Sequence, residues 1–157
     1  MIEIRKVDPL ESELISALAI RSKAYWGYDK EFMDSCVDEL SHSIEQISDE
    51  NSRYYLAEKD GEVLGFYKLE NLHHDTVLLE ALFIDTSAIG GGIGRALFEH
   101  AKETAKKYGG TSLEAQSDPY AERFYLAMGA KVTGRKESGN IPGRFLPMIQ
   151  IELKNVA

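Results

Sequence analysis

Leu78-Leu79-Glu80-Ala81-Leu82-Phe83-Ile84-Asp85 is an apolar run of strand length. Ser87-Ala88-Ile89-Gly90-Gly91-Gly92-Ile93-Gly94 follows, and a segment with apolar residues at helical spacing opens at Arg95. A strand that feeds a glycine-rich turn and then a helix leaves unpaired backbone N–H groups converging on one spot, with the helix dipole behind them. Such a junction suits a phosphate or diphosphate. No proline falls within residues 86–94, so every amide there keeps its hydrogen.

Spacing removes two nucleotide-type readings. A dinucleotide fingerprint needs a third small residue, yet counting on from Gly90 and Gly92 reaches Arg95, and from Gly92 and Gly94 reaches Leu97. A mononucleotide P-loop needs Gly-Lys-Ser/Thr, where this chain has Gly94-Arg95-Ala96. A plain glycine-rich connection between two core elements stays open. What also stays open resembles the acyl-CoA pyrophosphate loop of the Gcn5-related N-acetyltransferases (GNAT family), Gln/Arg-x-x-Gly-x-Gly/Ala. Ile89-Gly90-Gly91-Gly92-Ile93-Gly94 keeps both signature glycines and carries Ile89 at the basic first position. The resemblance implies acetyl-CoA as cofactor, held by main-chain amides from Ile89 to Arg95.

At 157 residues the chain is expected to be one domain, 1–157, with enough core to stand without metal or disulfide. No apolar run approaches a membrane span, and the start, Met1-Ile2-Glu3-Ile4-Arg5, lacks the pattern of a secretory signal. The single cysteine, Cys36, sits among apolar residues and reads as a small buried hydrophobe; a cytoplasmic location is expected. A net charge of −8 argues against nucleic acid as a partner, because such binding rests on neutralising phosphates. His73 and His74 lie in a polar connection with no third ligand at a useful spacing, so no metal is expected.

Residues 2–6 read as a strand. Asp8-Pro9-Leu10-Glu11 reads as a capped helix start, with the helix running to about Trp26 and presenting Leu14, Ile15, Leu18, Ala19, Tyr25 and Trp26. A second helix carries Phe32, Met33, Cys36, Val37 and Leu40, and residues 42–52 are left unassigned. Arg53–Lys59 and Glu62–Leu69 form a hairpin about Asp60-Gly61, which supplies the positive φ angles of a tight turn. After the central helix, which ends at Gly109-Gly110, come a strand over 111–115 and a helix started by Asp118-Pro119. A strand over 130–136, a loop over 137–144 and a last strand over 145–153 complete the chain. The order β-α-α-β-β-β-α-β-α-β-β predicts an α/β (α+β) mixed sheet of about seven strands with roughly four helices. A right-handed crossover makes the strands at 78–85 and 111–115 parallel neighbours. This order resembles the GNAT fold from end to end.

Asp118-Pro119-Tyr120-Ala121-Glu122-Arg123-Phe124-Tyr125-Leu126-Ala127-Met128-Gly129-Ala130 is similar to a second GNAT motif, Asn-x-x-Ala-x-x-Phe/Leu-Tyr-x-x-x-Gly-Phe, with Asp118 for Asn and Ala130 for Phe. The resemblance makes Tyr125 the candidate acid for the departing thiolate and places Asp118 and Tyr125 beside the coenzyme. Spacing alone would put Tyr125 in a packing stripe with Ala121, Phe124 and Met128. A lysine-type amine is protonated at neutral pH, and freeing it costs about 4–5 kcal/mol, so a base helps. Glu80, on the strand face of Leu82 and Ile84 by the period of two, is the candidate, with Glu114 as competitor.

By resemblance, the backbone of Leu82, Phe83 and Ile84 pairs with the acetyl and pantetheine portions. Substrate residues come from Tyr25, Trp26 and Tyr28 and from the loop Ser138–Arg144, in which Arg144 could fork onto a carboxylate. The expected partner is a small-molecule amine, and a homodimer fits the family's habit. A non-catalytic acyl-CoA-binding module and a peptide-amine acetyltransferase are the alternatives.

Overall fold

The computed structural model describes residues 2–138 and 143–153. Its seven strands are β1 (Glu3–Lys6), β2 (Arg53–Lys59), β3 (Glu62–Glu70), β4 (Thr76–Ile84), β5 (Ser112–Gln116), β6 (Lys131–Glu137) and β7 (Phe145–Glu152). They form one sheet in the order β1-β2-β3-β4-β5-β7-β6, antiparallel except where β4 meets β5. Five helices are described: α1 (Ser12–Ala24), α2 (Lys30–Leu40), α3 (Ile44–Ser48), α4 (Ile93–Lys107) and α5 (Glu122–Ala127).

Local chemistry accounts for the element ends. Asp60 at φ 52° and Gly61 at φ 82° make the β2–β3 turn. Asp8 caps the 3₁₀ turn Pro9–Glu11 that leads into α1, accepting from the Leu10 N–H at 2.9 Å, while Glu11 reaches back to the Asp8 N–H at 2.8 Å. Arg5 holds the same Glu11 through two 2.9 Å bonds and reaches Glu58 at 3.2 Å, so β1, β2 and the helix entry are tied at one point. Asp8→Ala is expected to cost about 1 kcal/mol. A urea denaturation midpoint unchanged from wild type would count against that cap.

The extra helix is α3, within the segment left unassigned from sequence. Ser43 and Gln46 form a reciprocal capping box and Ile47 is buried, which suffices for a five-residue helix against the core. The apolar face of α1 is narrower than its spacing predicted: Ile15, Leu18 and Ala19 are buried, whereas Leu14, Tyr25 and Trp26 face outward. Tyr25 and Trp26 lie at and beyond the C-terminal end of α1.

Two cores flank the sheet. On one face Tyr67, Leu69, Val77 and Leu79 pack against Leu97, Phe98 and Ala101 of α4 and Tyr125 of α5. On the other, Leu56, Phe66 and Ala81 meet Ile15 and Leu18 of α1 and Cys36 and Leu40 of α2. Gly65 lets the layers close: a Cβ there would lie 2.8 Å from the Phe83 carbonyl oxygen and 3.0 Å from Leu97.

Candidate active site

β4 and β5 run parallel, but only through Thr76–Ser112, Val77–Leu113 and Leu78–Glu114. Beyond Leu78, β4 continues to Ile84 paired on its β3 side alone, and β5 continues paired with β7 alone. The sheet opens there into a gap between two strands that lead away from a shared root.

The glycine-rich turn stands at the far end of β4. Gly90 and Gly92 take φ of +86° and +83°, a left-handed conformation that costs glycine little. Gly92 is the N-cap of α4, which begins at Ile93, two residues earlier than predicted. The first intrahelical bond runs from the Ala96 N–H to the Gly92 carbonyl. Among the described residues the amides of Ile93, Gly94 and Arg95 find no backbone acceptor. Gly94 must be small for another reason: a Cβ would sit 3.2 Å from the Phe124 ring and 3.7 Å from Ile84. Ile89 is exposed and adds no charge, so what the turn itself offers a ligand is its main-chain amides, with the exposed Arg95 following in the first turn of α4.

Tyr125 lies in the α4-side core, its ring edge-on to Phe98 and Phe124. Burial alone pushes its phenol well above the ordinary value, so it stays protonated. The packing-stripe reading is therefore correct about where the ring sits, and among the described residues no hydrogen bond engages its hydroxyl.

Glu80 departs from its expected face. The β3–β4 register pairs Lys68 with Ala81 and Leu69 with Leu79, so Glu80 is the extra residue of a β-bulge. The bulge slips the alternation: Val77 and Leu79 pack with the α4 core, as do Leu82 and Ile84, while Ala81 packs with the α1–α2 core. Although Glu80 is exposed, surrounding protein raises its pKa, Glu70 adds to the rise and Lys68 opposes it. Lys68 is buried, paired with Glu70 and set over the Tyr54 ring on the α1–α2 side. Glu80, facing Lys68 and Glu70, and Tyr125, in the α4-side core, thus belong to opposite layers of the sheet, and Glu114 stands opposite Leu78, the last paired residue before the gap.

The raised pKa has a testable consequence. The protonated form of Glu80 is favoured by folding below about pH 4.5, and that advantage is lost as pH rises through the higher folded value. Glu80→Gln should therefore melt higher than wild type at neutral pH, with the difference closing on acidification below pH 4.5. A constant difference across pH 4–7 would contradict the shift.

The residues named for substrate binding converge with one named for the coenzyme. The Tyr28 hydroxyl donates to the Asp118 carboxylate, 3.0 and 2.8 Å from its two oxygens. Arg144 donates to the Tyr28 oxygen at 2.7 Å and reaches Asp118 at 3.3 Å. Asp118 also caps the turn before α5 by accepting from the Tyr120 N–H. Lys23, which the sequence did not single out, adds its ammonium 3.6 Å from Asp118. Trp26 lies parallel to Tyr120 at 5.2 Å, and Tyr25 meets Trp26 edge-on. The loop residues Gly139, Asn140, Ile141 and Pro142, expected beside Arg144, lie outside the described residues.

Two further residues escaped sequence reading. His42 is buried with Nδ1 2.7 Å from the Tyr54 hydroxyl and its Nε2 unpartnered; burial, with Lys68 nearby, lowers its pKa to about 4 and keeps it neutral. Lys68 lies in β3 between Tyr67 and Leu69. Neither position carries a pattern that sets it apart from a solvated side chain.

A mixed sheet with this order of elements, opened between its two parallel strands, agrees with the GNAT fold that the order of elements resembles. A model of the Acetyltransferase (GNAT) domain matches residues 13–150, and the chain belongs to that family and is an N-acetyltransferase. It is 33% identical to the peptidyl-lysine N-acetyltransferase YjaB of Salmonella typhimurium, over 96% of this chain and 97% of that one. It is 28% identical to the 5-NmdU N-acetyltransferase of Pseudomonas phage PaMx11, over 88% and 94%. The fold matches the PaiA N-acetyltransferase of Thermoplasma acidophilum, solved with coenzyme A, at a TM-score of 0.77 and 20% identity over 97% and 99%.

Proposed function

We propose that the chain transfers an acetyl group from acetyl-CoA directly to the primary amine of a small molecule, with no covalent acyl-enzyme. The observation that carries this is the set of amides from Ile93 to Arg95 standing open at the end of β4, beside the strand gap. A diphosphate bound there would let the extended arm of the coenzyme lie along Leu82, Phe83 and Ile84 and bring its thioester to the root of the gap.

In this reading Glu80, directly or through water, takes a proton from the acceptor's ammonium and frees the amine to attack the thioester carbonyl, its raised pKa making it a better base than an ordinary carboxylate. A backbone N–H of β4 stabilises the developing oxyanion. Tyr125 faces the departing sulfur. A thiolate, with a thiol pKa of about 8.5, is a weaker base than a tyrosinate, so Tyr125 acts first as a hydrogen-bond donor that stabilises the charge on sulfur. As the C–S bond breaks, the second proton lost by the nitrogen neutralises the thiolate, and the first passes from Glu80 to solvent.

The relative named as a peptidyl-lysine enzyme favours a second reading, a lysine side chain of a protein as acceptor. Thiol release from acetyl-CoA, measured across small amines and lysine peptides, separates the two. Release with peptides alone would overturn the small-molecule reading. Acetyl-CoA binding without release on either panel would overturn transfer itself. The cytoplasm is the compartment proposed: Cys36, the single cysteine of the sequence, is buried, and among the described residues no helix is long and apolar enough to cross a membrane.

A further inference from the structure

The cluster beside the gap has an unusual charge arrangement. Lys23 and Arg144, with side chains 14% and 16% exposed, share the single carboxylate of Asp118. Tyr28 adds no charge, since burial and Asp118 hold its phenol protonated. Two cations on one anion leave a positive excess at this point in a chain of net charge −8. An approaching ammonium is repelled by that excess, and a carboxylate is drawn to it.

The cations are also held in place. The guanidinium of Arg144 lies 5.3 Å from the Tyr28 ring centroid and 5.1 Å from that of Phe32, and Lys23 stands over the same two rings. A planar fork fixed by stacking loses little entropy on receiving a carboxylate. Next to it, Trp26 and Tyr120 lie parallel, 41% and 54% exposed. Exposed flat rings at the rim of a charged site give a planar apolar group a surface to cover.

Resting on the transferase reading above, we propose that the acceptor is a small primary amine that also carries a carboxylate and a flat ring, the carboxylate held by Arg144 and Lys23 and the ring set against Trp26 and Tyr120. Asp118 is the internal counter-ion that aligns both cations before the substrate arrives, a task its carboxylate performs and an asparagine amide would perform less well.

The test uses matched pairs that differ only in the carboxylate, phenylalanine against phenethylamine and tryptophan against tryptamine, with acetyl-CoA as donor and thiol release as readout. Wild type should favour the carboxylate-bearing member at least about tenfold in kcat/KM, mostly through KM, as expected for one charge-assisted contact. Lys23→Gln and Arg144→Gln, each checked for an unaltered melting curve, should bring that ratio to within about twofold of unity. Equal or preferred use of the amine lacking the carboxylate by wild type would overturn the inference and leave the transferase standing. So would a ratio unchanged in both variants. Absence of turnover with every amine tried would remove the transferase reading, and this inference with it.

Discussion

Tyr125→Phe is expected to lower kcat by roughly 10²–10³-fold with any accepted amine, the cost of losing one donor to developing charge, while acetyl-CoA affinity stays within about twofold. The substitution deletes one oxygen and keeps the ring that packs on Phe98 and Phe124. Among the described residues that oxygen makes no hydrogen bond, so stability should hardly change and the whole effect should appear in the chemical step. Because the phenol of Tyr125 is shifted upward by burial, the wild-type rate should show no limb from its ionisation below pH 10. Stopped-time assays with separately titrated coenzyme measure both parts. Undiminished turnover would remove Tyr125 from the mechanism and leave it a core residue.

Gly92→Val should weaken acetyl-CoA binding by about 10–100-fold and lower stability by roughly 1–2 kcal/mol. Gly92 sits at φ +83°, where a β-branched side chain is strained, with no atom within 4 Å of an added Cβ; the penalty is one of backbone conformation, not crowding. Relieving it swings the peptide that leads into Ile93 and re-aims the open amides. Gly134→Ala, at a strand position with nothing within 4 Å and no positive φ, is the matched control and should leave binding unchanged. Calorimetry that gave both variants wild-type affinity would show that the diphosphate is held elsewhere.

The order of the elements along the chain and the glycine turn that opens α4 were legible in the sequence because both depend on local signals, whereas the placing of β7 between β5 and β6 was not. Asp60-Gly61 fixes a turn through its φ angles, and Asp118-Pro119 marks the start of the segment leading into α5. Glu80 shows where such signals fail. Its bulge arises from the register with Lys68 and Leu69 on a neighbouring strand, and a period-two reading of residues 78–84 alone has no term for that partner. Lys23 was missed for a related reason: a lysine in the last turn of a helix reads as a solvated cation suited to the dipole, and only folding brings it to Asp118, 95 positions along the chain. Tyr28 and Arg144 were each visible as candidates, but their meeting on Asp118 was not, since the coenzyme motif had claimed that residue for another task.

The parting of β4 from β5 after three paired residues carries a consequence for the folded state itself. A free sheet margin of six residues inside the molecule is an unfinished ladder, and a ligand whose arm carries amides can stand in for the missing rungs. The coenzyme would then be a structural member as well as a reactant. At a hundred times its dissociation constant it would add about 2.7 kcal/mol to stability, and slowed amide exchange along residues 79–84 would record the completed ladder. A fall in cellular acyl-coenzyme would loosen the protein at the same time as it starved the reaction, so enzyme abundance and enzyme rate would respond together to one metabolite.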